Sequence, residues 1–278
     1  MSKLIKSLLI VLLSLLIIAL SATMIFFIRN DFSNLNFGTA EMKLTDSYET
    51  DVNSVSKINL GLKSADVEIK ESENELISVE IYSNTDSEIK IDSADNTLSV
   101  TERGDNSSGV FFNTQKKVIV FVPATYAGEY SLNTHSGDIT AENDLLNNTV
   151  NASTHSGDIV LKNTRDITLS TSSGDITINK NDYKAEISTS SGEIEINEFN
   201  LKEVSDIASS SGDINIGTLD MLNNLNITSS SGDVEINTNK SNCYVETETG
   251  SGDVGIKNSD RKSDIVLKIK TSSGDIEV

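Results

Sequence analysis

Eight carboxylates recur along the C-terminal half of this 278-residue chain, each directly after a glycine. A carboxylate at a fixed position can ligate a metal, act as a general acid or base, or accept hydrogen bonds from backbone N–H groups. Calcium takes about six to eight oxygen ligands, and one carboxylate per repeat supplies few of them. Calcium binding therefore stays an alternative to a structural role for these residues, which are Asp138, Asp158, Asp175, Glu193, Asp213, Asp233, Asp253 and Asp275.

The two histidines of the chain, His135 and His155, hold the same position, two residues before Gly137 and Gly157. Two imidazoles next to aspartates could ligate zinc. The alternative is that histidine replaces the serine of later repeats and forms an exposed stack. We favour the stack and predict no metal site, with the two histidines and the seven aspartates as the candidates if one exists. The equivalent serines are Ser172, Ser190, Ser210 and Ser230.

Catalytic motifs are missing from the sequence. No nucleophile elbow, phosphate-binding loop or histidine-containing zinc-protease motif occurs. A polysaccharide-active β-helix enzyme would need a non-repeating cluster of acid, base and aromatic side chains. Here the acids stand at repeated positions and the chain has no Trp. We therefore predict no catalytic residue, no cofactor and no enzymatic activity.

A Ser-Gly-Asp or Ser-Gly-Glu triplet organises the C-terminal half, at intervals of 17 to 22 residues. Apolar residues stand two and four positions after each glycine, and alternation of this kind predicts strands. Each repeat then holds two short strands that meet at a corner, and it cannot bury its apolar face alone. Stacked parallel rungs solve this, so we predict an all-β fold, a parallel β-solenoid of about twenty-residue rungs. The corner glycines are Gly137, Gly157, Gly174, Gly192, Gly212, Gly232, Gly252 and Gly274.

The corner residues have predictable structural roles. Glycine permits either a positive φ or a close approach of the next rung. Serine and aspartate side chains can bond nearby backbone N–H groups at a bend. The Thr or Ser three residues before each glycine has the inward parity, where its hydroxyl could bond along the stack. Polar runs such as residues 179–182 are predicted to be loops.

Residues 7–28 are almost wholly apolar and predict a transmembrane anchor helix. At about 1.5 Å per residue they span roughly 33 Å, enough for a hydrocarbon core of about 30 Å. Lys3 and Lys6 precede them, which predicts a cytoplasmic tail (1–6) and an extracytoplasmic C-terminal domain. A signal peptide cleaved near Ser21 or Ala22 is the alternative, but its apolar core is normally only about 7–15 residues long.

The remaining chain divides into three predicted parts. Residues 29–51 are polar and non-periodic, as in a juxtamembrane spacer. Residues 52–125 predict irregular β structure that caps the solenoid, with degenerate corners at Ala65 and Ala94 and an exposed loop at 104–109. Residues 126–278 are the regular repeat.

The C-terminal end of the stack is predicted to be the strand that ends at Val278. A free parallel edge invites pairing with another chain, and outward lysines oppose it. Lys268 and Lys270 stand at outward positions of the last full strand, so we expect a protected edge. Cys243 is the single cysteine, which excludes an intramolecular disulfide framework and predicts a semi-buried apolar filler, with disulfide dimerisation as the alternative.

Charge limits the partners. The formal net charge of −20 excludes nucleic acid as a partner, because phosphate neutralisation requires Lys and Arg. The membrane is a partner through the N-terminal helix, and a cell-wall polymer or an envelope protein is a possible second one. No oligomeric state follows from the sequence.

The recurring corner, as in Thr171-Ser172-Ser173-Gly174-Asp175-Ile176-Thr177-Ile178, resembles the bacterial putative-adhesin family of β-strand-repeat proteins. The resemblance covers about residues 50–278. An anchor followed directly by such a domain is similar to the LiaG-type membrane proteins of Gram-positive envelope-stress operons. The resemblance implies a non-catalytic module at the cell surface, with adhesin-like binding or a role in envelope stress. A calcium-stabilised surface stalk is the alternative.

Overall fold

The computed structural model describes residues 41–84, 88–103, 114–238 and 242–278. The predicted tail, the predicted anchor, the first part of the predicted spacer and the loop predicted at 104–109 lie outside these residues. Within the described ranges, no helix is long and apolar enough to cross a membrane. The chain from Met42 to Val278 forms one compact unit.

Twenty strands and a short 3₁₀ helix (Val52–Ser54) occupy the described residues. Seven strands precede the regular repeat: β1 (Lys43–Asp51), β2 (Lys57–Gly61), β3 (Asp66–Glu71), β4 (Leu76–Ser83), β5 (Ile89–Ala94), β6 (Thr97–Glu102) and β7 (Lys116–Val122). The repeat itself contains β8 (Glu129–Asn133), β9 (Ile139–Ser153), β10 (Ile159–Ser170), β11 (Ile176–Thr189), β12 (Ile194–Leu201), β13 (Ser205–Ser209), β14 (Ile214–Met221), β15 (Leu225–Ser229), β16 (Val234–Thr238), β17 (Tyr244–Thr249), β18 (Val254–Gly255), β19 (Val266–Thr271) and β20 (Ile276–Glu277).

Parallel pairing joins equivalent residues of successive rungs. Ile159 is in register with Ile176, Ile176 with Ile194, and Ile194 with Ile214. A slip of one residue would turn every apolar side chain outward, so the buried face fixes this register. The prediction of an all-β, solenoid-like fold is confirmed.

The inward side chains form one core along the whole unit. Ile159, Ile176 and Ile194 are fully buried, and the same cluster includes Ile58 and Leu98 of the N-terminal strands. Each buried side chain of this size contributes about 1.5–3 kcal/mol relative to exposure. The N-terminal strands therefore belong to the hydrophobic core of the solenoid.

The order of rungs in space differs from their order in the chain at both ends. Strands β2 and β3 lie between β6–β7 on one side and β8–β9 on the other. Strands β19 and β20, the last in the chain, lie between β15–β16 and β17–β18. The prediction that the strand ending at Val278 forms the edge is wrong, because the final segment is inserted one rung inward.

The outward lysines of β19 consequently have a different role from the predicted one. Lys268 is in register with Glu246, and Lys270 with Glu248, on the neighbouring strand β17. The Lys270 Nζ lies 3.1 Å from Glu248 Oε2. Lys270 therefore pairs with an acid of the next rung, and Lys268 lies opposite another.

The N-terminal strands depart from the parallel pattern. Strand β4 pairs antiparallel with β7 and with β1, and β5 pairs antiparallel with β6. The degenerate corner predicted at Ala94 is wrong: Asp95 and Asn96, with φ of 51° and 57°, form the tight turn of the β5–β6 hairpin. Part of the predicted spacer is also strand β1, which shows no apolar alternation because most of its residues are exposed.

The polar run at 179–182 is not a loop. It lies inside β11, and the Asn181 side chain is fully buried. Its Nδ2 donates to Thr164 Oγ1 and to the carbonyl oxygen of Arg165, both at 3.1 Å. A buried amide that satisfies backbone groups thus supports the chain where the sequence predicts a loop.

Candidate functional site

The corner glycines are required by close approach. None of the described glycines has a positive φ. A Cβ built on Gly192 would lie 1.8 Å from the carbonyl oxygen of Gly174, and one on Gly157 would lie 2.0 Å from that of Gly137. Ala65 takes the place of glycine in the rung of β2 and β3, and its carbonyl oxygen would lie 2.0 Å from a Cβ on Gly137. Ala65 thus stands at a corner, as predicted.

The inward threonines connect adjacent rungs through their hydroxyls. Thr154 Oγ1 donates to the carbonyl oxygen of Gly137 at 3.1 Å and accepts from the backbone N–H of Gly157 at 3.1 Å. Thr171 makes the same two bonds, at 3.3 and 3.1 Å. A hydroxyl can donate and accept at once, so both buried backbone groups are satisfied.

The carboxylates after the glycines form a column in which each accepts from the next rung. Asp138 Oδ1 accepts the backbone N–H of Asp158 at 2.9 Å, and Asp158 Oδ1 accepts that of Asp175 at 2.8 Å. The side chains that accept in this way are Asp66, Asp138, Asp158, Asp175, Asp213, Asp233 and Asp275. These N–H groups offset the repulsion between neighbouring charges.

Glu193 interrupts the carboxylate column. Its longer side chain turns to Asn215, whose Nδ2 donates to Glu193 Oε1 at 2.5 Å. At the N-terminal start of the column, burial raises the pKa of Asp66. The hydrogen bond from the Asp138 N–H lowers this pKa, whereas the nearby Asp138 carboxylate raises it. The aspartate carboxylates of the column thus bind backbone N–H groups of the adjacent rung and stabilise the stack.

The two histidine rings lie face to face on adjacent rungs. The His135 and His155 ring centroids are 4.9 Å apart, with an angle of 1° between the planes. Both residues are exposed. In the ranges the structure describes, no group of three or more His, Cys, Asp or Glu side chains is arranged to hold a metal ion.

A second exposed cluster lies away from the corners, and no sequence pattern indicates it. The Arg165 guanidinium lies 4.8 Å from the centroid of the Tyr183 ring. Lys202 Nζ lies 3.2 Å from Asp182 Oδ2, and Leu146 borders the same shallow depression. These residues come from four successive rungs and differ in type from one rung to the next, so no repeat marks them. Cations, an aromatic ring and an apolar side chain together could contact a polar polymer or a lipid headgroup.

A buried ion pair closes the N-terminal corner, and this too was missed. Lys116 Nζ lies 2.7 Å from Glu102 Oε1, with both side chains 2% exposed. Glu102 Oε2 also accepts the backbone N–H groups of Lys63 and Ser64, at 2.6 and 2.9 Å. Burial alone would raise the pKa of Glu102, but the bonds from Lys116, Ser64 and Lys63 outweigh it and lower the pKa.

Cys243 is buried, and burial raises the pKa of its thiol. A thiol of raised pKa forms little of the nucleophilic thiolate. The residue therefore packs as an apolar filler, more deeply than predicted.

Comparison with solved structures shows the same fold at low sequence identity. A putative adhesin from Bacteroides fragilis NCTC 9343 is 16% identical, covers 86% of this chain and 98% of its own, and has a TM-score of 0.55. A putative lipid binding protein from Parabacteroides distasonis ATCC 8503 is 18% identical, with coverages of 84% and 96% and a TM-score of 0.54. A putative adhesin from Parabacteroides merdae ATCC 43184 is 17% identical, with coverages of 87% and 98% and a TM-score of 0.53.

The comparison with curated proteins finds no match. A family model described as Toastrack DUF4097 matches residues 55–278, which include every corner from Ala65 to Gly274. The chain therefore belongs to the Toastrack DUF4097 family.

Proposed function

We propose that the chain is a membrane-anchored, extracytoplasmic binding module that acts without catalysis. The observation that carries the proposal is the use of the repeated polar groups. Seven of the aspartates at the corners accept a backbone N–H of the adjacent rung, and the inward threonines bond backbone groups on both sides. Groups committed to the stack in this way build a scaffold, and a catalytic site needs a cluster that differs from the repeat.

The proposed location rests on the apolar segment at residues 7–28 and on the lysines that precede it. A single-pass anchor would hold the Toastrack domain on the extracytoplasmic side of the cell membrane. A LiaG-like role in the cell envelope fits this arrangement. Cell-wall polymer, lipid headgroups and envelope proteins are the proposed classes of partner, and proteins of the same fold carry the names adhesin and lipid binding protein.

The location can be tested with a cysteine at an exposed corner. Ser136 is exposed, whereas the native Cys243 is buried. A Ser136→Cys variant of the full-length chain should react with a membrane-impermeant maleimide on intact cells, and the native chain should stay unlabelled. Labelling of the variant only after lysis would place the domain in the cytoplasm and contradict the proposal.

Binding without catalysis can be tested on isolated envelope material. The full-length chain in detergent micelles should sediment with cell-wall fragments or with envelope vesicles, and no new reducing ends should appear in the polysaccharide. Release of reducing ends would favour the polysaccharide-active enzyme. Failure to sediment with any envelope fraction would remove the binding role.

A further inference from the structure

The end of the solenoid formed by β17 and β18 lacks the next layer. Among the described residues, β17 pairs with β19 alone and β18 with β20 alone. Val254 and Ile256 are 44% and 41% exposed, whereas Val234 and Ile236, at the same positions of an interior rung, are 1% and 2% exposed. Apolar positions that every interior rung buries are open here.

The backbone of the terminal corner is also left unpaired. In the interior, Val234 N–H donates to the carbonyl oxygen of Asp275 at 2.9 Å, and Asp233 Oδ1 accepts the Asp275 N–H at 2.8 Å. The corresponding groups of the end rung are the Val254 N–H and the Asp253 carboxylate. Neither has a partner within the described ranges. An added strand could therefore accept the Val254 N–H with a carbonyl oxygen and donate an N–H to the Asp253 carboxylate.

Strand β17 presents free backbone groups on the same side. The Tyr244 N–H donates to the carbonyl oxygen of Ile265, toward β19, and the Val245 N–H turns away and donates to Ser259 Oγ. Since successive residues of a strand alternate between its two neighbours, Thr247 and Thr249 also direct their N–H groups away from β19. Among the residues that the structure describes, the outer edge of β17 is thus open beyond Val245.

The charges at this edge select the chemistry of a partner. Glu246 and Glu248 project from β17 beside Lys268 and Lys270 of β19, and the side chain of Glu248 is 68% exposed. A strand on the outer edge would place its side chains beside the same two glutamates. Opposite charges across a strand pair stabilise it by about 0.2–1 kcal/mol, and like charges destabilise it.

We propose that the β17–β18 edge binds an extended segment of a partner protein with Lys or Arg at alternate positions, which adds as the next parallel strand. This inference deepens the binding role proposed above and rests on it. A second copy fits poorly, because two β17 strands related by a two-fold axis would set Glu246 against Glu248 of the other copy. Head-to-tail stacking of copies also fits poorly, because the N-terminal end carries the antiparallel strands β1, β4 and β5 and not a parallel rung that matches β17 and β18.

A peptide with the chain's own residues 264–275 is a suitable probe. As strand β19 this segment pairs in parallel with β17, with its lysines opposite Glu246 and Glu248. The same register is expected on the outer edge, because successive rungs of the stack align equivalent residues. Fluorescence anisotropy of the labelled peptide with the full-length chain in detergent micelles should show saturable binding. A control peptide with Lys268→Glu and Lys270→Glu should bind at least about tenfold more weakly, because two attractive pairs become repulsive.

The site is tested by Thr247→Pro, which removes an outward N–H and leaves the bonds of Glu246 and Glu248 to β19. This variant should keep the native melting temperature and lose peptide binding at least about tenfold. If it fails to fold, the paired substitution Glu246→Gln and Glu248→Gln should abolish the difference between the two peptides. Equal binding by both peptides to the native chain would overturn the proposal.

Three further outcomes would also overturn it. Unchanged binding to the Thr247→Pro chain would mean that the peptide displaces β19. A dimer of the native chain that Thr247→Pro dissolves would identify a second copy as the occupant. Absence of peptide binding while the chain still sediments with envelope material would refute the edge proposal alone, whereas failure to sediment would refute the broader binding role.

Discussion

The two ends of the stack close their corners by different means. At the N-terminal end, β6 and β7 cover the rung of β2 and β3, and the Glu102 carboxylate accepts the N–H groups of Lys63 and Ser64. At the C-terminal end, the corner at Asp253 and Val254 has no such cover among the described residues. One end buries a charge to complete its hydrogen bonds, and the other leaves equivalent groups to solvent.

This difference bears on assembly as well as on stability. A solenoid with two open ends could stack without limit, because each end would match the next copy. Here the N-terminal end carries the antiparallel strands β1, β4 and β5, which do not match the parallel rung at the other end, so copies of the chain cannot repeat the internal stacking head to tail. The closed end is therefore expected to provide stability, and the open end a single binding edge.

The largest effect is expected at the buried ion pair of the closed end. Lys116→Met should lower the free energy of unfolding by about 3–5 kcal/mol, because it leaves the Glu102 carboxylate buried without its cation. The matched change at the open end, Lys270→Met, should cost at most about 1 kcal/mol, because the Lys270–Glu248 pair is exposed. Denaturant titration of both variants in micelles measures this. Equal losses would contradict the contrast between the ends.

The same pair gives the closed end a defined pH dependence. The pKa of Glu102 is lowered in the folded state, so its contribution is complete above the ordinary carboxyl pKa of about 4.3. The contribution is lost as the pH falls through the lower folded-state pKa. The melting temperatures of the native chain and of Glu102→Gln should therefore converge at pH values below the folded-state pKa of Glu102. A constant difference down to strongly acidic pH would count against the assignment.

A smaller but still large effect is expected from a methyl group at an interior corner. Gly192→Ala should destabilise the chain by about 3 kcal/mol, because the added Cβ meets the Gly174 carbonyl oxygen and the rungs must separate. Gly255→Ala, in β18, should be nearly neutral, because nothing lies within 4 Å of its added Cβ. Thermal melts of the two variants compare interior and end directly. A neutral Gly192→Ala would refute the close approach.

The smallest effect is expected in the carboxylate column. Asp175→Ala removes the acceptor of the Glu193 N–H and should cost about 1–2 kcal/mol. Asp253→Ala should leave the stability almost unchanged, because no next rung donates to its carboxylate in the described chain. Millimolar calcium should shift the melting temperature of neither variant. A saturable rise in the melting temperature of the native chain with calcium would favour the calcium-stabilised stalk.

The sequence predicts the interior of the stack well and its ends poorly. The spacing of Gly174, Gly192 and Gly212 predicts parallel rungs, because each repeat can bury its apolar face only against another repeat of the same kind. The same periodicity cannot say which rung is adjacent to which, and so the insertion of β19 was missed. Lys268 and Lys270 have the same outward pattern whether they protect an edge or face the glutamates of β17.

The missed residues share a physical cause: their environments arise from segments distant in sequence. Asn181 lies in a polar run that locally resembles a loop, yet Thr164 and Arg165 of the preceding rung make it a buried amide. Glu102 and Lys116 lie on either side of the loop that the sequence predicts at 104–109. They come together only when β6 and β7 pack on the stack. Strand β1 forms by backbone pairing with β4, and most of its side chains are exposed, so its sequence has no apolar alternation that would predict a strand.

Amide hydrogen exchange of the full-length chain in micelles tests the contrast between the ends most directly. The N–H groups of Lys63 and Ser64, bonded to Glu102, should exchange slowly, as should that of Val234. The N–H groups of Thr247 and Val254 should exchange rapidly and become protected when the 264–275 peptide binds. Protection of Val254 equal to that of Val234 in the free chain would show that the C-terminal end is already covered, and would contradict the account.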